Sequence, residues 1–172
     1  MGIAYKLFKY KNGKLYPLYV LANKEFKIGV WIDAEEGPLT ENGKVKCKLG
    51  ELCYRPGLHC ATIPLATHIG KKTPDGLVQA KDTVWCEVEY SDKYDYQAEA
   101  IQNGVNKNGK LNLKNAYLKH IPVKGYYLYK TNPMMFGEWI ICGSIKVNRI
   151  LTNEEVKEIC KSYGYEAQKV EE

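Results

Sequence analysis

Apolar and polar positions alternate with a period of two along most of this chain, and a helical period takes over only near the C-terminus. Tyr5 to Lys11 and Leu15 to Leu21 flank Asn12-Gly13, a dipeptide that favours a two-residue hairpin turn. Pro17 removes a donor from the second arm and assigns it to an edge or a bulge. Phe26, Ile28, Val30 and Ile32 alternate with Lys27, Gly29 and Trp31, which predicts a third strand ending at Asp33. Residues 34–50 are acidic, then Gly- and Lys-rich, and read as loop with at most one short strand around Val45 to Lys48.

The stretch from 54 to 90 organises the middle of the chain. Pro56-Gly57 is a turn signal, and Leu58 to Ile63 reads as a short buried strand. Pro64 suits the first turn of a helix and Gly70 suits its end, so a short helix is predicted between them. Lys71 to Asp82 reads as a polar loop. Thr83 to Tyr90 then places Val84, Cys86, Val88 and Tyr90 on one face, with Trp85, Glu87 and Glu89 on a wetter one. Glu87 and Glu89 read as a solvent face opposed by lysines.

Residues 91–123 are undecided, with a short helix within Tyr94 to Ile101 and Asn-rich turns from Asn103 to Asn115. Lys-Asn-Gly-Lys occurs at 11–14 and at 107–110, which marks two local turns. Gly125 to Lys130, Glu138 to Cys142 and Ser144 to Ile150 are strand runs, the last two broken at Gly143. Thr152-Asn153-Glu154-Glu155 is a capping box. Val156, Ile159, Cys160 and Tyr163 recur at helical spacing up to Gly164, so a C-terminal helix is predicted over about 153–163. Residues 166–172 read as a frayed tail. The pattern predicts one α+β domain over 1–172. It has a mainly antiparallel sheet of about six to nine strands and two or three short helices.

Composition narrows the function. Apolar residues make up 45% and charged residues 26%, as in an ordinary globular protein, and no apolar run approaches the roughly 20 residues of a bilayer span. The net charge of +5 is carried by lysine, because Arg55 and Arg149 are the only arginines. That argues against bidentate base readout and leaves non-specific, salt-sensitive contact with DNA through Lys. Fourteen tyrosines suit half-buried sheets and binding surfaces. No secretory leader is read at the N-terminus, so Cys47, Cys53, Cys60, Cys86, Cys142 and Cys160 are expected to be free cytoplasmic thiols. Cys53, His59 and Cys60 are the nearest approach to a zinc set. No Cys-x2–4-Cys pair accompanies them, and no metal is expected. A nucleophile–base pair can be drawn from Cys60 with His59 or His68, which lies eight residues on in the short helix. Neighbours on a strand face opposite ways, which separates His59 from Cys60.

Two resemblances carry functional expectations. The order strand, Pro56-Gly57-Leu58-His59-Cys60-Ala61-Thr62, helix, strand and then Gly137-Glu138-Trp139-Ile140 resembles ADP-ribosyltransferase folds. That resemblance implies NAD as cofactor, His59 and Thr62 lining its cleft, and Glu138 as catalytic residue. The first strand, Tyr5 to Tyr10, departs from the family in offering no His or Arg. The whole sequence is similar to a family of small proteins from prophages and mobile elements of gut Firmicutes, linked to type II-A anti-CRISPR proteins. The residues that carry it are the Tyr5-Lys6-Leu7-Phe8-Lys9 start, Arg55 to His59, Thr83 to Glu87 and Ile145 to Leu151. This second resemblance implies a non-catalytic cytoplasmic protein that binds a host nucleoprotein such as an RNA-guided nuclease, with no cofactor and no membrane partner. Arg55, His59, His68, Tyr126 and Tyr127 are its candidate binding residues, with Arg55 expected to pair with a carboxylate such as Glu87.

Overall fold

Asn12 and Gly13 both take positive φ, 53° and 76°, as a type I′ hairpin turn requires. The computed structural model describes residues 1–19, 21–36, 45–47, 50–52, 55–104, 116–130 and 136–172. In chain order the elements are β1 (Gly2–Lys11), β2 (Lys14–Tyr16), β3 (Trp31–Asp33), β4 (Val45–Cys47), β5 (Gly50–Leu52) and β6 (Leu58–Ala61). They continue with β7 (Lys71–Thr73), β8 (Gly76–Val78), β9 (Thr83–Tyr90), β10 (Tyr94–Asp95) and α1 (Gln97–Asn103). The last are β11 (Gly125–Tyr129), β12 (Trp139–Cys142), β13 (Ser144–Ile150) and α2 (Asn153–Ser162).

Nine strands form the main sheet in the order β10-β11-β12-β6-β1-β9-β13-β3, with β2 paired to β1. Every pair is antiparallel except β10 with β11, so the chain is α+β with a mainly antiparallel sheet. β4–β5 and β7–β8 are separate hairpins.

The sheet is rolled. Four strand intervals separate β11 from β9, which a flat sheet would hold roughly 19 Å apart. Instead the Tyr90 and Tyr126 ring centroids are 5.4 Å apart. Ser91 Oγ donates to the Gly125 carbonyl at 3.3 Å and accepts from the Ser144 N–H at 3.2 Å. The concave side closes over Ala4, Phe8, Phe26, Cys60, Cys86, Val88, Cys142 and Val147.

The convex side has two covers. α2 places Val156 and Cys160 on Leu7, Ala61, Leu65, Trp85 and Leu151. α1 and the segment 116–118 place Ala100, Ala116 and Leu118 on Tyr127, Tyr129 and Ile141. Trp139 packs against both groups and marks the seam between them. α2 begins with the expected capping box: Thr152 Oγ1 accepts from the Glu155 N–H at 3.1 Å, and Glu155 Oε1 accepts from the Thr152 N–H at 3.2 Å. Among the described residues no helix is long and apolar enough to cross a membrane.

Several expectations are corrected. Pro64 to Gly70 is a turn closed by Ile69 N–H to the Ala66 carbonyl at 3.0 Å, not a helix. Seven residues gain too few helical bonds to offset nucleation, and burial of Pro64, Leu65 and Ala66 holds them in another path. The supposed polar loop 71–82 contains the β7–β8 hairpin, with Pro74-Asp75 in its turn. The third strand shortens to β3, since Ile28 and Val30 lie 50% and 49% exposed and Gly29 turns at φ 82°. Strand β2 stops at Tyr16, before the buried Pro17. Residues 166–172 are not frayed. Gln79 N–H donates to the Lys169 carbonyl at 2.7 Å and the Glu171 N–H to the Gln79 carbonyl at 2.8 Å. The Gln168 amide donates to the Ile69 and Leu77 carbonyls, and Glu171 pairs with Lys71. The second Lys-Asn-Gly-Lys turn, 107–110, lies outside the described residues.

Candidate functional site

Strand alternation sends Leu58 and Cys60 into the concave core and turns His59 and Ala61 to the convex side. The β6–β12 register sets His59 opposite Ile141 and Ala61 opposite Trp139, while β11 sets Tyr129 opposite Trp139 on the other flank. Side chains on these three neighbouring strands therefore meet in the seam between the helical covers.

They form a row. His68, on the exposed turn after Ala66, meets Trp139 edge-on with centroids 5.8 Å apart. Trp139 meets His59 at 6.4 Å, and His59 meets Tyr129 at 6.0 Å. The Arg55 guanidinium stacks on Tyr129, its carbon 3.9 Å from the ring centroid. Gly57 (φ 132°) makes the turn that brings Arg55 alongside, and a Cβ there would run into the Ile141 side chain. Arg55 donates one Nη bond to the Ala116 carbonyl at 3.1 Å, and its buried Nε has no acceptor. Among the described residues no carboxylate pairs with Arg55.

The expected Arg55–Glu87 pair is thus absent. Glu87 lies near Arg149, at 3.6 Å, and accepts from Asn148. Glu89 pairs with Lys146 at 2.8 Å, as expected of a carboxylate face opposed by basic side chains.

His59 is neutral in this setting. Burial first, then the charges of Lys6 and Arg55, push its pKa from 6.5 down to about 3, against a hydrogen bond to the Gly57 backbone that works the other way. One ring nitrogen donates and the other accepts. Burial also lowers the His68 pKa.

Lys6 reaches His59 from the concave side. β1 and β6 pair only at Tyr5–Ala61, and the His59 carbonyl takes Lys6 Nζ at 2.7 Å. Burial holds the Lys6 pKa below its ordinary value, while the neighbouring Cys60 and Cys142 thiols raise it. The Cys142 hydrogen bond, with Lys6 assisting, lowers the Cys60 pKa; burial raises that of Cys142. Burial drives the Cys86 thiol up to about 12.

A Cys60–His59 nucleophilic pair is excluded by these directions, since the thiol faces the concave core and the imidazole faces Trp139 and Tyr129. Thr62 and Glu138 are brought together through backbone: Thr62 N–H donates to the Glu138 carbonyl at 3.1 Å, and Thr62 Oγ1 accepts from the Glu138 N–H at 3.0 Å. The Thr62 hydroxyl thereby extends the β6–β12 ladder by one rung.

Of the five candidate binding residues, Arg55, His59 and His68 converge. Tyr126 instead turns to the concave side against Tyr90, and Tyr127 is fully buried under α1. The Tyr127 hydroxyl lies beside Arg55 and the Leu118 backbone without completing a hydrogen bond, and burial raises its pKa to about 12. Trp139, Tyr129 and Lys6 escape sequence reasoning; the first two are signalled only by strand register.

Cys60, Cys86, Cys142 and Cys160 are free and buried, and no group of three metal-ligating side chains occurs among the described residues. Cys53 and the Cys47 side chain lie outside them. A shallow groove of about 600 Å³ between Lys157, Lys161, Tyr165 and Glu166 holds none of the candidates. Compared with known protein families, curated proteins and solved structures, the chain matches none.

Proposed function

We propose that this chain is a non-catalytic accessory protein that binds a nucleoprotein, with the seam between α1 and α2 as its contact surface. One observation carries the reading: five side chains from the β6, β11 and β12 region form a continuous row of four rings that ends on an arginine with no carboxylate partner among the described residues. Rigid rings and arginine are the side chains that dominate binding energy at interfaces, because they bury much area and lose little rotamer freedom. The neutrality of His59 also favours recognition over proton transfer, since a group with pKa near 3 is a poor base at neutral pH.

The whole-sequence resemblance makes an RNA-guided DNA nuclease the specific partner. The test is plasmid cleavage by type II nuclease–guide complexes with this protein in excess, paired with pull-down of the same complexes. Inhibition, or capture without inhibition, is the expected result. Free cleavage with no capture across several type II nucleases would overturn the reading. The NAD-dependent alternative has its own assay: label transfer from NAD by the wild-type protein, lost in Glu138→Gln, would replace binding with catalysis.

A further inference from the structure

We infer that the tip of the β1–β2 hairpin docks on the phosphate backbone of a nucleic-acid duplex, with Lys11 and Lys14 as the contacting cations. The inference rests on the nucleoprotein reading and names the element that meets its nucleic-acid part.

Register supplies the first argument. Lys11 stands directly opposite Lys14 in the β1–β2 ladder, as the pair that closes the Asn12-Gly13 turn. Directly opposed residues of an antiparallel pair have Cα atoms only about 4.5–5.5 Å apart, and like charges so placed destabilise the ladder. A carboxylate nearby would relieve the repulsion. Lys9, two residues earlier, has one in Asp82 at 3.3 Å, but among the described residues neither Lys11 nor Lys14 has any. Both lysines and the two turn residues between them are exposed. The hairpin thus holds two solvated cations side by side, an arrangement that an external anion stabilises.

Rigidity supplies the second. Leu15, 2% exposed, pins one arm to the core, and the Phe26 N–H donates to its carbonyl at 2.8 Å. On the other arm the Tyr10 N–H donates to the Asp82 carbonyl at 2.7 Å. The two lysines therefore ride on a fixed two-stranded ribbon, a shape that a duplex groove admits. Duplex DNA offers one charge per roughly 1.7 Å of its axis, so paired cations at this spacing meet phosphates wherever the ribbon lands. Lysine meets phosphate as a point charge, so the contact is to backbone and independent of sequence.

The experiment uses the full chain and a fluorescein-labelled mixed-sequence DNA duplex, with one of its strands alone for comparison, followed by anisotropy across a salt series. The duplex should bind more tightly than the single strand. Lys11→Gln and Lys14→Gln should each flatten the slope of log affinity against log salt by about 0.9, one phosphate contact apiece. Lys14→Glu should weaken duplex binding and yet raise Tm by about 1–4 °C, because it turns the repulsive pair into a cross-strand ion pair. Lys72→Glu, the same change of net charge at an exposed position of the β7–β8 hairpin, is the control and should leave slope and Tm close to their wild-type values. An unchanged slope in both glutamine variants overturns the inference. So does a Tm that stays level or falls in Lys14→Glu, an effect of Lys72→Glu as large as that of Lys14→Glu, or single-strand binding as tight as duplex binding. If the glutamine variants keep the wild-type slope, or the wild-type protein ignores the duplex, while a nuclease complex is still captured, the binding reading stands and only the hairpin assignment falls. If the wild-type protein binds neither duplex nor complex, both fall.

Discussion

Acidification should destabilise this protein through His59, and the size of the effect follows from its surroundings. The ring packs against Tyr129 and Trp139 and feels two cations, Arg55 and, from the other side of the sheet, Lys6. Its pKa is about 3 in the folded protein against 6.5 for the ordinary side chain. Between those values the unfolded chain binds the proton and the native protein does not, so stability falls as pH drops below about 6.5 and stops falling near 3. At pH 5 the loss from this one group is about 2 kcal/mol, an upper figure because His59 as a residue is half-buried. For a chain of this size that lowers Tm by roughly 4–8 °C. Glu155 and Glu171, whose pKa values are held down by Arg149 and Lys71, lose stabilisation only below about pH 4.5, outside a comparison of pH 7 with pH 5. His120, with a raised pKa, works in the opposite direction and is common to wild type and variant. The assay is urea unfolding at pH 7 and pH 5 for the wild-type protein and His59→Gln. The variant should lose about 2 kcal/mol less between the two pH values. Equal losses in both proteins would refute a neutral, desolvated His59.

Three further outcomes are expected. Lys6→Met removes the larger of the two charge effects on His59, so the His59 pKa should rise in an NMR titration; an unmoved value would break the Lys6–His59 link. Thr152→Ala should cost about 1 kcal/mol in chemical unfolding through loss of the α2 cap, whereas Arg149→Ala, whose pairs are exposed, should cost less than about 1 kcal/mol. Deleting residues 166–172 should lower Tm measurably, because it frees Lys71 and the Gln79 backbone; an unchanged melt would restore the frayed reading.

What the sequence made legible is what local rules govern. Asn12-Gly13 needs two positive φ values and Thr152 to Glu155 needs four neighbours, so both are read directly from order. β9 and β13 are long, β-branched and alternating, and they appear almost where expected. Local rules fail where distant packing decides. Ile28 and Val30 satisfy the alternation of a buried strand yet lie on an outer edge, since the period reports a shared face and not its cover. Lys6 stands between Ala4 and Phe8 on the concave side, and only the early end of the β1–β6 ladder explains why an amine is wanted there. His59 and Arg55 were marked by residue type, but their company was hidden. Trp139 joins them through a register between strands far apart in the chain. Tyr126 and Tyr127 show the opposite failure: tyrosine abundance suggested a surface, and the pleat gave one ring to each interior.

Strand β1 lies in the middle of the main sheet although it precedes that sheet's other strands in the chain. Gly2 pairs with Tyr90 and Lys9 with Thr83, and only one register pair, Tyr5–Ala61, joins β1 to an earlier strand than β9 apart from its own hairpin partner. During synthesis the edge of β1 that pairs with β9, Gly2 to Lys9, must therefore wait, its donors and acceptors in water, until residues 83–90 have emerged. β9 in turn awaits residues 144–150 for its second neighbour. Assembly is thus a late, nearly all-or-none event dominated by distant pairings, which belongs to the slow millisecond-to-second class of folding. A growing chain of this kind carries unpaired strand edges for most of its translation, and nascent-chain chaperones are the cellular factors suited to shield them.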